Sequence, residues 1–214
     1  AAEEAVRGGA SILILSDRAI SRERLPVHSL LATGAVHHHL IRSGLRTDAN
    51  IIIETASARD SHQIACLLGF GATAVYPYLA YSVLEDLIRT GEVLGEPSTC
   101  YKNYRKGINK GLLKIMSKMG ISAVSSYRGA QLFEAVGLNR EVVDLAFCGV
   151  ASRIEGAGFA DLGRDLEAVG RRAWSQRKGI EQGGLLKYVH GQEYHAFNPD
   201  VVMSLQQAVA SGDY

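Results

Sequence analysis

Short runs of consecutive apolar residues recur along this chain, separated by longer segments whose apolar positions follow helical spacing. The runs lie at residues 11–15, 50–54, 72–76 and 121–125, with a possible fifth at residues 142–147. A run that is apolar throughout, rather than alternating, is typical of a strand covered on both faces, as in a parallel sheet. The pattern therefore predicts four strands and a possible fifth.

Amphipathic spacing predicts helices between these runs. They lie at residues 27–42, 61–68, 81–90, 101–119, 130–136 and 153–169, with a last helix that starts near the chain's end. Asp60 or Ser61 can cap the second helix, and Asn198 followed by Pro199 favours the start of the last one.

Three of the apolar runs follow a glycine that ends a predicted helix, at Gly9, Gly71 and Gly120. A glycine at such a place can adopt the left-handed conformation that ends the preceding helix, and the repetition is typical of βα architecture. A complete (β/α)8 barrel needs eight strands and about 250 residues, more than these 214 residues provide. The sequence thus predicts an α/β fold whose parallel βα units form an open sheet or part of a barrel.

The character of the chain changes after Gly170. Residues 175–198 contain two glycine-rich stretches and scattered aromatic residues, which are typical of an irregular connection. We therefore predict an α/β domain over residues 1–170 and a connecting arm with a terminal helix over residues 171–214.

Composition excludes several classes of function. The net charge of +1 gives no support for a nucleic-acid partner, and no apolar run approaches the roughly 20 residues that span a bilayer. The three cysteines are too dispersed for a disulfide framework or a metal site, so we expect reduced thiols in a cytoplasmic protein. The acidic start does not resemble a signal peptide, and the first residue is Ala1, so we expect an internal segment or a processed chain.

Two loops are weak candidates for binding an anion. Thr55, Ser57 and Arg59 follow the strongest predicted strand and open a helix, where barrel enzymes place their sites and helix N-termini bind phosphate. Ser126 and Arg128 follow the fourth predicted strand in the same way. A phosphate loop would usually contain glycines, which the first loop lacks. A capped, exposed loop is the alternative interpretation.

Other features of the sequence do not predict a metal, catalytic or nucleic-acid-binding site. Three consecutive histidines, at positions 37–39, point about 100° apart on a helix and cannot converge on one ion. No nucleophile elbow, P-loop or dinucleotide fingerprint is present. The basic residues between Lys102 and Lys118 could contact nucleic acid, but an apolar side opposite them favours a solvated helix face. We therefore predict no catalytic residue, cofactor or metal in this chain.

Several long stretches resemble the central domain of glutamate synthase large subunits. Residues 54–78 read ETASARDSHQIACLLGFGATAVYPY, and residues 101–122 read YKNYRKGINKGLLKIMSKMGIS. The resemblance continues through residues 126–138, 184–191, 193–195 and 198–200, so that it extends over essentially the whole chain.

The resemblance implies an internal domain of a larger enzyme. Such subunits carry an N-terminal glutaminase domain with a catalytic first cysteine, this central domain, a synthase barrel that binds FMN and a three-iron, four-sulfur cluster, and a β-helical domain. Glutamine-derived ammonia passes through a tunnel and reacts with 2-oxoglutarate, and reduction of the imine gives glutamate. FAD and NADPH enter through a small subunit. The central domain resembles the flavin barrel without its flavin, which implies a partial or degenerate TIM-barrel-like fold.

Three classes of function follow from these observations. The first is a non-catalytic scaffold that contacts the glutaminase domain, the FMN domain and the small subunit of its parent. The second is a free-standing phosphate- or flavin-binding α/β enzyme, which predicts a yellow protein or an anion near Thr55. The third is a nucleic-acid-binding module, which predicts salt-sensitive binding. The resemblance favours the first class.

Overall fold

The computed structural model describes residues 1–175 and 183–212. Contacts divide the chain into two compact units, Ala1–Trp174 and Ser175–Tyr214. The parts of the predicted arm at residues 176–182 and 213–214 lie outside the described residues.

The first unit contains five strands and eight helices among its described residues. The strands are β1 (Ile12–Ser16), β2 (Asn50–Glu54), β3 (Ala74–Tyr76), β4 (Glu134–Leu138) and β5 (Ala151–Ala157). The helices are α1 (Ala2–Arg7), α2 (Ser29–Arg42), α3 (Ser61–Gly69), α4 (Tyr78–Arg89), α5 (Pro97–Lys118), α6 (Val124–Tyr127), α7 (Arg140–Ala146) and α8 (Phe159–Ala173). No described helix is both long enough and apolar enough to cross a bilayer.

All described strand pairs are parallel, which confirms the predicted α/β class. Strands β1, β2 and β3 form one sheet in that order, and β4 pairs with β5 in a second sheet. In the first sheet Ile14 lies opposite Ile52, and Ile52 lies opposite Ala74. The carboxyl ends of all three strands therefore lie at one edge of the sheet, and their amino ends lie at the opposite edge.

Helices α2 and α3 cover one face of the first sheet. Leu13, Ile51 and Ile53 on that face are buried together with Leu40 of α2 and Leu67 of α3. Successive strand residues point to opposite faces, so Ile12 and Ile14 point away from these helices. A second apolar cluster packs α7 against β4, and a third joins α3 to α5 and α6.

The caps of α3 and α9 (Pro199–Ser211) lie where the sequence predicts them. Asp60 precedes α3, and its carboxylate accepts a hydrogen bond from the Gln63 backbone N–H at 2.8 Å. Asn198 precedes α9, in the second unit, but its side chain accepts from the His195 backbone N–H rather than from the helix. His195 also contacts the Gly184 carbonyl at 2.5 Å, which connects two distant parts of the segment before α9.

The structure corrects the predicted elements between residues 121 and 157. Residues 124–127 form α6 rather than the end of a strand. The strands β4 and β5 occupy part of the predicted helix at residues 130–136 and the start of the predicted helix at residues 153–169. The possible strand at residues 142–147 belongs mostly to α7. Short apolar runs do not distinguish a buried strand from a buried helix. Here Asn139 accepts a hydrogen bond from the Glu141 N–H, which favours the helix.

Candidate functional site

The carboxyl ends of β1, β2 and β3 meet at one edge of the first sheet. Their last residues, Ser16, Glu54 and Tyr76, are in register across the three strands. The residues that follow each strand therefore lie close together, and ligand sites of open α/β proteins form at such edges. We call the polar side chains here the carboxyl-edge cluster: Ser16, Asp17, Arg18, Ser29, Glu54, Thr55, Ser57 and Tyr78.

Glu54 is held by two partners from the end of β1. Its carboxylate accepts a hydrogen bond from the Ser16 hydroxyl at 2.5 Å and pairs with the Arg18 Nε at 2.7 Å. The Arg18 guanidinium also lies 4.6 Å from the centre of the Tyr78 ring, a cation–π contact. The positive charge of Arg18, which could attract an anion, is therefore already paired with Glu54.

Asp17 connects the loop after β1 to the loop after β2. Its carboxylate accepts hydrogen bonds from the Thr55 hydroxyl at 2.6 Å and from the Ala56 N–H at 3.0 Å. Partial burial, together with a hydrogen bond to Asp17, raises the pKa of Tyr78 to about 12. Tyr78 therefore stays a neutral donor to Asp17 across the physiological pH range.

Thr55 and Ser57 complete the cluster, and neither points a free donor outward. Thr55 is buried, with 1% of its surface exposed, and it donates its only hydroxyl proton to Asp17. Its oxygen can therefore only accept from the Ser57 hydroxyl, which lies 3.0 Å away. Ser57 also contacts the Ser29 hydroxyl at 2.8 Å, which joins the loop to the start of α2.

The start of α3 is occupied by a carboxylate of the chain itself. Asp60 accepts from the Gln63 N–H, and the Arg59 N–H donates to the Gln63 side chain at 2.9 Å. An anion at this helix start would meet the negative charge of Asp60. The residue Arg59 is exposed. The loop thus fits a flavin or sugar phosphate poorly, although an anion site at Thr55, Ser57 and Arg59 stays a prediction.

The structure places the other two predicted residues elsewhere. Arg128 contacts the Thr73 hydroxyl at 3.4 Å, and Thr73 directly precedes β3. It therefore lies near the amino edge of the sheet, opposite the carboxyl-edge cluster. Ser126 is exposed in α6. The five candidate residues do not converge on one site, and an anion site at Ser126 and Arg128 also stays a prediction.

A second polar group at the amino edge was not predicted from the sequence. The Arg46 guanidinium donates to His37 Nδ1 at 2.8 Å, to the Ala49 carbonyl at 2.6 Å and to the Gly71 carbonyl at 2.8 Å. Burial lowers the pKa of His37 to about 4, and the nearby charge of Arg46 adds to this effect. His37 is therefore neutral and accepts from Arg46. Three neighbouring segments are joined by this one arginine.

The three consecutive histidines turn to different surroundings. His39 contacts the Glu3 carboxylate of α1 at 2.8 Å, whereas His37 faces Arg46. Burial also lowers the pKa of His38. Within residues 1–175 and 183–212, no group of three histidine, cysteine or acidic side chains is arranged to hold a metal ion.

Sequence reasoning singled out Thr55 and Ser57 but missed Asp17 and Arg18. The signal that could have found them is their position, because both directly follow the first predicted strand, as Thr55 follows the second. A cavity of about 360 Å³ lies beside this edge, lined by polar residues of the cluster and by apolar residues such as Leu15, Val27 and Ala32.

The fold and the cluster together define an α/β protein with parallel strands whose strand-end polar side chains bind one another. Residues 1–139 match the family described as "Glutamate synthase central domain". The chain belongs to this glutamate synthase central domain family.

Named relatives agree with this assignment. The chain is 43% identical over 215 residues to the glutamate synthase [NADPH] large chain of Bacillus subtilis, a match that covers all of this chain and 14% of that relative. It is 44% identical to a chloroplastic ferredoxin-dependent glutamate synthase of Oryza sativa, over 97% of this chain and 14% of the relative. It is 41% identical to the glutamate synthase [NADH] of Schizosaccharomyces pombe, over 97% of this chain and 10% of the relative. The chain thus spans a small part of each of these relatives.

Proposed function

We propose that this chain is an internal scaffold and coupling domain of a glutamate synthase. The parent would convert glutamine, 2-oxoglutarate and a reductant into two molecules of glutamate, which assimilates ammonia. The observation that carries the proposal is the family match, together with relatives in which the matched segment is only 14% of the length. The chain would link a glutaminase domain to an FMN-binding synthase domain.

The carboxyl-edge cluster supports a structural role. An active site needs polar groups aimed at a substrate, whereas Asp17 and Glu54 each accept from at least two groups of the chain itself. Such a saturated network fixes the loops after β1 and β2 relative to each other. A rigid edge of this kind suits a domain that holds its neighbours at a fixed separation.

The arrangement of strands and helices is compatible with the proposed degenerate barrel. In a (β/α)8 barrel the helices lie outside, so that one face of every strand points to the interior. Here α2 and α3 both pack on the same face of the first sheet. We propose that the two short sheets are the remnant of a TIM-barrel-like domain over residues 1–170, followed by a connecting arm over residues 171–214.

The chemistry would reside in other parts of the parent. We propose that FMN and a three-iron, four-sulfur cluster are held by the synthase domain, with FAD and NADPH on a small subunit. The names of the relatives give different electron donors, which are NADPH, ferredoxin and NADH. We propose NADPH, the donor named for the bacterial relative. We also propose a cytoplasmic location and no nucleic-acid or membrane partner.

The first experiment uses the isolated 214-residue chain. Absorbance spectra should show a colourless protein, a glutaminase assay should show no turnover, and titration with FMN should show no micromolar binding. A bound flavin, or turnover by this chain alone, would contradict the proposal and favour a free-standing flavin- or phosphate-binding enzyme.

The second experiment tests coupling in the full-length enzyme. Asp17→Ala removes the acceptor of Thr55 and Ala56 and should loosen the carboxyl-edge cluster. Glutamine hydrolysis and ammonia-dependent glutamate formation should persist, while the glutamine hydrolysed exceeds the 2-oxoglutarate consumed. Asp165→Ala, on the exposed surface of α8, serves as the control. If both partial reactions fell together, with FMN lost, the residue would belong to a cofactor site instead.

A further inference from the structure

One face of the first sheet is covered by helices, and the rest of the first unit leaves the other face bare. Ile14, Ile52 and Ala74 are neighbours across the three strands and point away from α2 and α3. Ile14 is 62% exposed, and Ile12 on the same face is 57% exposed. Their neighbours along β1 on the opposite face, Leu13 and Leu15, pack into the core.

The second sheet repeats this asymmetry. Val136 and Ile154 lie opposite each other on β4 and β5, and they are 66% and 61% exposed. Ala135, which points the other way, is buried against α7. Helix α2 packs against α7, and Gly34 lies so close that a Cβ there would be 2.0 Å from the Ala146 carbonyl oxygen. The helical layers of the two sheets therefore adjoin, and each sheet has its bare face opposite that layer.

The bare face of the first sheet has an apolar centre and a polar border. At the amino end of the strands the Thr73 hydroxyl contacts the Asn50 side chain at 3.2 Å. At the carboxyl end Ser16, Glu54 and Arg18 form the paired group described above. Protein interfaces have this composition, with an apolar core that excludes water and polar groups around it. Parallel sheets, moreover, occur almost only with both faces covered.

We infer that the bare face around Ile12, Ile14 and Ile52 is the docking surface for polypeptide of the same subunit that lies outside residues 1–214. The inference rests on the proposed function and assigns it a surface. All of this chain matches a segment that is only 14% of the Bacillus subtilis relative, so most of such a subunit is available to cover the face. A tethered segment meets the face at a high effective concentration, which favours it over a second copy of the chain.

The test places a photo-crosslinking residue, benzoylphenylalanine, at position 14 of the full-length subunit, and in a second variant at position 136. Cross-links from both positions should reach peptides outside residues 1–214 of the same subunit. Leu113, which is 65% exposed on the basic helix α5, is the control position and should give few such cross-links. Cross-links confined to residues 1–214 would overturn the inference. Cross-links between isotopically light and heavy copies would overturn it too, and would point to an interface between copies.

A stability comparison provides a second measurement. Ile14→Asp should change the melting temperature of the isolated chain by less than about 2 °C because the side chain is already exposed. The same change should lower the melting temperature of the full-length subunit clearly, because a charge would enter the interface. Leu13→Asp should destabilise both, since Leu13 is buried. An equally small change in melting temperature in the two proteins would contradict docking at this face. The outcome of the coupling experiment with Asp17→Ala does not depend on this result, so the two proposals can fail separately.

Discussion

At the scale of single residues, arginine and aspartate side chains join segments that are distant in sequence. Arg46 binds His37 and two backbone carbonyls, and Asp17 binds two groups after β2. Each buried polar atom that finds a partner avoids the cost of leaving it unsatisfied, about 1–3 kcal/mol. These contacts stabilise the loops at the two edges of the first sheet.

The pairing of Arg46 with neutral His37 predicts a pH dependence of stability. The pKa of His37 falls from 6.5 in the unfolded chain to about 4 in the fold, so the unfolded chain binds more protons between these values. The contribution of neutral His37 to the free energy of unfolding is complete above about pH 6.5 and is lost as the pH falls towards 4. Because His37 is only partly buried, we expect about 1–2 kcal/mol after solvent screening.

Urea unfolding at intervals from pH 7 to pH 4 measures this effect. The variant His37→Gln keeps an acceptor for Arg46 but cannot titrate, so its unfolding free energy should depend less on pH in this range. His62→Gln, at an exposed position in α3, is the control. An unchanged slope in His37→Gln would show that other groups cause the pH dependence.

At the scale of elements, two glycines of α5 lie in different surroundings. A Cβ at Gly111 would come within 2.0 Å of the Ser61 hydroxyl oxygen and 2.6 Å of its Cβ, whereas nothing lies within 4 Å of a Cβ at Gly107. Gly111 therefore allows α5 to approach the start of α3. This close packing buries Met116 of α5 with Ala65 of α3.

The two glycines give a matched pair of variants. Gly111→Ala should lower the free energy of unfolding by about 1–3 kcal/mol, because the two helices must separate. Gly107→Ala should raise it by about 0.5–1 kcal/mol, because alanine is the better helix former. Denaturant titration followed by circular dichroism compares them. Equal effects of the two substitutions would mean that α3 and α5 do not approach each other at Gly111.

At the scale of the whole molecule, the three clusters of buried apolar residues all lie in the first unit. In the second unit α9 has no buried residue, and Leu186 and Phe197 are largely exposed. The first unit should therefore fold without the second.

Truncation after Trp174 tests this expectation. The shortened chain should unfold in one cooperative transition, with a melting temperature within about 3 °C of that of the whole chain. A control truncated after Leu138 lacks α7, whose buried Val142, Val143 and Ala146 form much of the second cluster, and should not fold stably. Loss of cooperativity on truncation after Trp174 would contradict the predicted boundary near residue 170.

Much of the fold could be predicted from local signals. The runs at residues 11–15 and 50–54 became strands because their apolar residues are consecutive and bounded by polar or glycine residues. Asp60 caps α3 because its side chain reaches a backbone N–H three residues ahead. The same local logic failed at residues 142–147, where a run of similar composition lies in a helix.

The candidate site was less predictable than the elements. The loop that contains Thr55 and Ser57 was found because it follows a strand. Its partners Asp17 and Ser29 are 38 and 28 residues away, and only the parallel pairing of β1 with β2 brings them together. The distance between Arg128 and that loop likewise depends on which edge of the sheet each residue occupies.

The sequence by itself determined the first three strands, the helices α2 to α5, the cap positions of α3 and α9, and the family to which the chain is similar. The elements and their caps depend on residues that are close together in the sequence, and the family depends on the order of residues along the chain. The tertiary structure alone decided that the strand-end polar groups satisfy one another, that Gly34 and Gly111 lie at close helix contacts, and that the rest of the first unit leaves one face of each sheet bare. The reason is that pairing, register and crossing of elements join residues far apart in sequence, and no local pattern specifies those distances.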